Sequence, residues 1–104
     1  MELIINNIHK FDLKPANTFF KKLIGLAFKK NINYALRIKC NGIHTFFMKE
    51  NIDVILTDKN NNILYSYKNI KKNKVILPKK NVFYTYEIPS ELCKYKNPKK
   101  IEIK

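Results

Sequence analysis

The run Ile52-Asp53-Val54-Ile55-Leu56-Thr57 limits the fold more than any other stretch of the chain. In an extended strand it puts Ile52, Val54 and Leu56 on one face and Ile55 on the other, the pattern of a strand covered on both sides. Asp53 shares the face of Ile55. A carboxylate inside an apolar strand must find partners or face a cleft, because an unpaired buried charge is costly. Residues 58–62, Asp-Lys-Asn-Asn-Asn, read as a turn in which asparagines take the left-handed conformations usually left to glycine. Residues 63–68 then alternate Ile63, Tyr65 and Tyr67 against Leu64, Ser66 and Lys68, which predicts a hairpin with the first strand.

The rest of the chain supplies partners for that hairpin. Residues 3–8 read as an edge strand, with Leu3 and Ile5 on one face and Ile4 on the other, broken by residues 12–15. A helix is expected over 17–25: Asn17 or Thr18 can cap it, Phe19, Phe20, Leu23 and Ile24 form its apolar stripe, and Gly25 closes it with Leu26 folding back. Residues 34–39 alternate as a strand, with Tyr34, Leu36 and Ile38 inward and Arg37 on the open face. After the Asn41-Gly42 turn, residues 43–48 are too bulky to form a free loop and are expected to pack. Residues 69–74 read as a basic loop, 75–77 as a short strand stopped by Pro78, and 82–88 as a strand ended by Pro89. One helical turn capped by Ser90 and a last strand at 101–103 complete the chain. The 104 residues make one domain with a single modest core. Its expected class is α+β and mostly β: a curled antiparallel or mixed sheet, or a small barrel, with one flanking helix at about 17–25.

The formal net charge is +13, which raises the question of an anionic partner. Arg37 is the only arginine among 21 basic residues, whereas recognition of phosphate and guanine favours arginine's planar fork. Lysine, asparagine and isoleucine share AT-rich codons, so a solvated lysine surface is the preferred reading and nucleic-acid binding the alternative. No window approaches the roughly 20 apolar residues of a membrane helix, and no signal-peptide pattern opens the chain. A cytoplasmic location follows as the expectation. Cys40 and Cys93 are then two thiols in preference to a disulfide.

Several of these segments together carry a resemblance. Gly25-Leu26, Cys40, Ile43-His44-Thr45 followed by Phe47-Met48, Ile52-Asp53-Val54-Ile55 with Asp58 before a turn, and Tyr86-Glu87-Ile88-Pro89 resemble the domain of unknown function 192 family. The resemblance runs over about 17–104, with residues 44–58 its specific part. It implies a compact β-rich domain with a flanking helix, found in small bacterial and archaeal proteins, some exported, and it carries over no catalytic residue. Ala27 stands where the family tends to have methionine, and Phe47 where many members have tryptophan. The family's usual glycines after the 86–89 strand and before the last strand are missing.

The candidate chemistry gathers around the middle of the chain. Cys40, His44 and Asp53 contain the groups of a thiol nucleophile, its base and an orienting carboxylate, without any local signature of a cysteine hydrolase. Cys40, His44, His9 and Cys93 lack the close-paired spacing of a zinc site. No cofactor, metal or catalytic residue is therefore assigned. The expected structural role of Asp53 is a tie to a backbone amide, His44, Thr45 or Arg37. The functional reading is a non-enzymatic binding module for a small ligand or protein partner. Its pocket is bordered by Arg37, His44, Thr45 and Asp53, with Phe47 and Met48 as an apolar wall. The alternative is a nucleic-acid face of Lys68, Lys71, Lys72, Lys74, Lys79 and Lys80, with Tyr65, Tyr67, Tyr84 and Tyr86 available for stacking.

Overall fold

A computed structural model describes residues 1–16, 26–27 and 30–104. The expected 17–25 helix lies outside the described residues. Among the described residues nine strands follow in order: β1 (Glu2–Ile5), β2 (His9–Pro15), β3 (Ala35–Ile38), β4 (Ile43–His44), β5 (Ile52–Thr57), β6 (Ile63–Ile70), β7 (Val75–Ile76), β8 (Tyr84–Pro89) and β9 (Ile101–Ile103). A single 3-10 turn, Ser90–Leu92, follows β8. Seven strands form one sheet in the order β6-β5-β8-β3-β2-β1-β9, and β4 pairs with β7 in a separate two-stranded sheet. All pairings are antiparallel except β2 with β3. The protein is thus mostly β, with a curled sheet. Among the described residues no helix is long and apolar enough to cross a membrane.

The β5 pattern explains the two-sided core. Ile52, Val54 and Leu56 join Leu26, Ala27, Ile32, Leu36, Ile38, Met48 and Ile76 in one buried cluster. Ile55 joins Leu3, Ile5, Phe11, Leu13, Ala35, Tyr86, Ile88, Tyr95 and Ile101 in the other. Six of the seven strands of the large sheet contribute to this second cluster, so the sheet must curl until β1 and β9 return toward β5 and β8. The β5–β6 turn and the start of β9 then face each other across a small gap lined by residues 60–63 and 99–101.

Two local expectations change. Residues 12–15 do not break a strand. They belong to β2, where Leu13 pairs with Ala35 and Pro15 with Arg37. The reversal comes earlier, at Asn6 and Asn7, both left-handed with φ of 55° and 64°. Two asparagines here do the work of the Asn-Gly turn that marks most tight hairpins. Pro15 is tolerated because it is the last residue of its strand. The turn after β8 is also not capped by the Ser90 side chain, whose hydroxyl is engaged elsewhere.

Candidate functional site

The small β4–β7 sheet and its flanking loops build the one site in which predicted residues converge. Ile43 pairs with Ile76 and His44 with Val75. Gly42 at φ 92° turns the chain into β4 where a Cβ would stand 3.0 Å from the ring of Pro78, so only glycine fits. Thr45, 1% exposed, then ties two loops together. Its hydroxyl donates to the Lys71 carbonyl at 2.8 Å and accepts from the Lys74 N–H at 2.8 Å. Its own N–H donates to the Lys74 carbonyl at 2.8 Å, and its carbonyl accepts from Asn73 at 3.2 Å and Met48 at 3.3 Å. All but the Met48 bond, which closes the 45–48 loop on itself, fix that loop against the 71–74 loop.

Between those loops lies an open cleft of about 850 Å³, lined by Phe47, Met48, Lys49, Glu50, Asn51, Lys71, Lys72, Asn73 and Lys74. Met48 is buried in the first core cluster. Phe47 is 64% exposed and sits at φ +64°. A bulky non-glycine residue in the left-handed region is strained by roughly 1–3 kcal/mol, and such strain concentrates at functional sites. Beside it the His44 and Phe46 rings stack at 5.0 Å, and His44 Nδ1 accepts the Phe46 N–H at 3.3 Å. That bond leaves the proton of neutral His44 on Nε2.

Asp53 is organised separately. It faces the second core cluster, opposite a bulge in β6 where Ile52 pairs with Ile70 and Val54 with Tyr67. Asn69 takes φ 55° in this bulge, and the extra residue turns donors toward the carboxylate. Asp53 accepts from Asn69 N–H at 2.9 Å, Lys68 Nζ at 3.1 Å, Ser90 Oγ at 2.6 Å and Tyr95 Oη at 3.0 Å. Burial by itself would raise its pKa, but hydrogen bonds from Ser90, Asn69, Lys68 and Cys93 outweigh burial and hold it below the usual carboxylate range. Lys68 also donates to the Tyr95 carbonyl at 2.9 Å and lies over the Tyr95 ring at 4.1 Å. The network therefore clamps the segment after β8 across the curled sheet: the expected backbone-amide tie of Asp53 is to Asn69, and its side-chain partners are Lys68, Ser90 and Tyr95 in place of His44, Thr45 or Arg37.

The expected pocket is redistributed accordingly. His44 is not a partner of Asp53: it belongs to the small sheet, while the donors to Asp53 come from β6 and the segment after β8. Arg37 shares Asp53's face of the sheet but is separated from β5 by β8, with its guanidinium 4.9 Å over the Tyr84 ring. Thr45, Phe47 and Met48 do meet, with Lys71, Lys72 and Lys74 opposite. Cys40 lies against the Gly42 carbonyl and the Thr85 hydroxyl, and Cys93 against the Pro89 carbonyl. They pack on opposite core clusters, with no disulfide between them. His9 meets the edge of Tyr95.

The predicted lysine face divides in the same way. Lys68 is committed to Asp53, and Lys79 lies 5.4 Å over the Tyr65 ring. Tyr86 is fully buried, so the four tyrosines form no common stacking platform. Burial pushes the Tyr86 hydroxyl up to about 12, although Arg37 pulls it back in part. Sequence reasoning missed Lys49, Glu50, Asn51 and Asn73 on the cleft wall. The left-handed Asn73, φ 65°, was the available signal that the 71–74 loop turns back on itself.

A family model described as "Uncharacterized ACR" (DUF192) matches residues 2–100. The chain belongs to the DUF192 family. The match starts at residue 2, not about 17, and so takes in β1 and β2. A UPF0127 protein of Thermococcus kodakarensis is 37% identical over 89 residues, covering 79% of this chain and 56% of that protein. A UPF0127 protein of Thermococcus sibiricus is 34% identical over 93 residues, covering 82% and 59%. This DUF192 chain thus spans a little over half the length of these two archaeal relatives. The crystal structure of a protein of unknown function from Novosphingobium aromaticivorans matches with a TM-score of 0.81 at 13% identity, covering 99% of this chain and 84% of that one. At that identity the likeness shows the DUF192 fold alone.

Proposed function

We propose that this DUF192 chain is a non-enzymatic binding module whose ligand occupies the Phe47 cleft and combines negative charge with a flat apolar part. The carrying observation is Phe47, held exposed on a strained backbone across from Lys71, Lys72 and Lys74. Burying apolar ligand surface against the exposed part of Phe47 supplies the apolar gain, and the three lysines supply charge and orientation. An anilinonaphthalene sulfonate dye has both features and serves as a generic probe. Its titration should show a saturable site that Phe47→Ala weakens at least about fivefold, given 1–3 kcal/mol for a stacked ring. Binding unchanged in Phe47→Ala and in a Lys71, Lys72, Lys74 triple alanine variant contradicts the proposal.

A further inference from the structure

We infer that the outward face of the β4–β7 ribbon docks on an anionic lipid bilayer, its apolar tips entering the headgroup layer and the lysines around it holding lipid phosphates. Residues directly opposite each other in an antiparallel pair share a face, and neighbours along a strand alternate between faces. Ile43 pairs with Ile76, and both pack on the first core cluster. His44 and Val75, the adjacent pair, therefore point outward. Val75 is 56% exposed, and Leu77, just after β7, is 67% exposed. Phe46, stacked on His44 and 40% exposed, widens this face. The Phe47 cleft has a different lining. Single exposed apolar residues are ordinary, but a valine, a leucine and a phenylalanine gathered on one two-stranded ribbon mark a contact surface.

The surroundings carry charge of one sign. Residues 39–50 and 71–80, which contain the ribbon and its flanking loops, hold seven lysines against one carboxylate, Glu50, which already accepts the Ile32 N–H at 3.4 Å. Lys39 and Lys79 lie over the Phe83 and Tyr65 rings, and Lys71, Lys72, Lys74 and Lys80 are exposed. An ammonium is a point charge that holds a phosphate without an arginine fork, and a negative leaflet attracts each lysine within a Debye length. Val75 and Leu77 decide between anionic partners. Aliphatic tips meet acyl chains in a bilayer, whereas the phosphate backbone of a nucleic acid gives them little to bury against. Protein interfaces are anchored by tryptophan, tyrosine and arginine, none of which occurs in residues 39–50 or 71–80. Peripheral contact of this kind needs no membrane-spanning helix.

The chain contains no tryptophan, so Leu77→Trp places a single indole on the ribbon. Its emission and its co-sedimentation are measured with vesicles of phosphatidylcholine alone and of equimolar phosphatidylcholine and phosphatidylglycerol, at low and at high salt. The anionic vesicles should shift the emission to the blue and bind at least about tenfold more tightly than the neutral ones, with the difference lost at high salt. In the otherwise unchanged chain, Val75→Ser with Leu77→Ser keeps every charge and should weaken binding to anionic vesicles at least about tenfold. This pair should leave the unfolding temperature and dye binding in the Phe47 cleft near those of the parent, since both positions are largely exposed. Equal binding to both vesicle types, or to neither, overturns the inference. So does anionic-vesicle binding that the serine pair leaves unchanged, since charge alone then suffices. A single-stranded oligonucleotide that binds more tightly than the vesicles, whatever stands at 75 and 77, assigns the lysines to nucleic acid and overturns it as well. Failure of the dye in the parent chain sinks the cleft proposal and leaves lipid docking standing.

Discussion

Phe47 illustrates how a single residue of the proposed site can carry backbone strain. Its side chain is largely exposed and its backbone adopts a conformation that glycine takes without strain. Phe47→Gly should therefore hold or raise stability by up to about 1 kcal/mol in thermal or urea unfolding, while abolishing dye binding. Asp53 is the opposite case, a residue whose whole use is cohesion. Asp53→Asn keeps the shape but cannot accept from four donors as a carboxylate does, and it leaves Lys68 without its ion pair. Unfolding should show a loss of about 2–4 kcal/mol. Glu87 is a third kind of residue. It is 4% exposed, pairs across the sheet with Leu36 and Val54, and accepts the Leu26 N–H at 3.3 Å. Burial pushes its carboxyl from 4.5 up to about 7.

At the scale of elements, the 45–48 and 71–74 loops stand or fall together through Thr45. Thr45→Val preserves volume but leaves the Lys71 carbonyl and the Lys74 N–H without their hydroxyl partner, at about 1–3 kcal/mol. Amide exchange at 71–74 should accelerate and dye affinity fall even though the valine touches no ligand. Much of the architecture was legible in sequence because it rests on period-two alternation: β5 with its two covered faces, the β5–β6 hairpin, and the last strand at β9. What was not legible depended on asparagine. Asn6 and Asn7 made a hairpin of what read as one strand and a break, and Asn69 made a bulge that drew Lys68 and an amide onto Asp53. Nor could alternation over 82–88 reveal that Glu87 is buried, because it cannot tell a solvated face from one covered by a segment distant in the chain. The candidate site was half legible. Bulk in residues 43–48 and charge in 69–74 were each visible, but His44 was matched to Asp53 by chemistry alone. Only the β4–β7 pairing reveals that residues 45–48 face the basic loop.

Across the whole molecule, charge is less free than +13 suggests. Lys14, Arg37, Lys39, Lys68 and Lys79 each lie 4.1–5.4 Å from an aromatic ring centroid, well above the roughly one such contact per 70–80 residues of ordinary structures. These cations cover apolar surface, while Lys49, Lys71, Lys72 and Lys74 line the cleft. Stability should also follow pH in an unusual way. Glu87's folded pKa is raised, so its contribution is fully present below 4.5 and is lost as pH rises through about 7, a decline of about 3 kcal/mol. Asp53's folded pKa is lowered, so its contribution is present above 3.8 and is lost as pH falls through the folded value. Chemical denaturation across pH should therefore peak at about pH 4–5, and Glu87→Gln should flatten the decline toward pH 8. The measurement that bears most directly on the cleft is a residue-by-residue amide NMR titration with the sulfonate dye. The account predicts shifts concentrated at Phe47 to Asn51 and Lys71 to Lys74. Shifts centred instead on the Arg37, Lys39 and Phe83 surface, or spread evenly over the sheet, would contradict it.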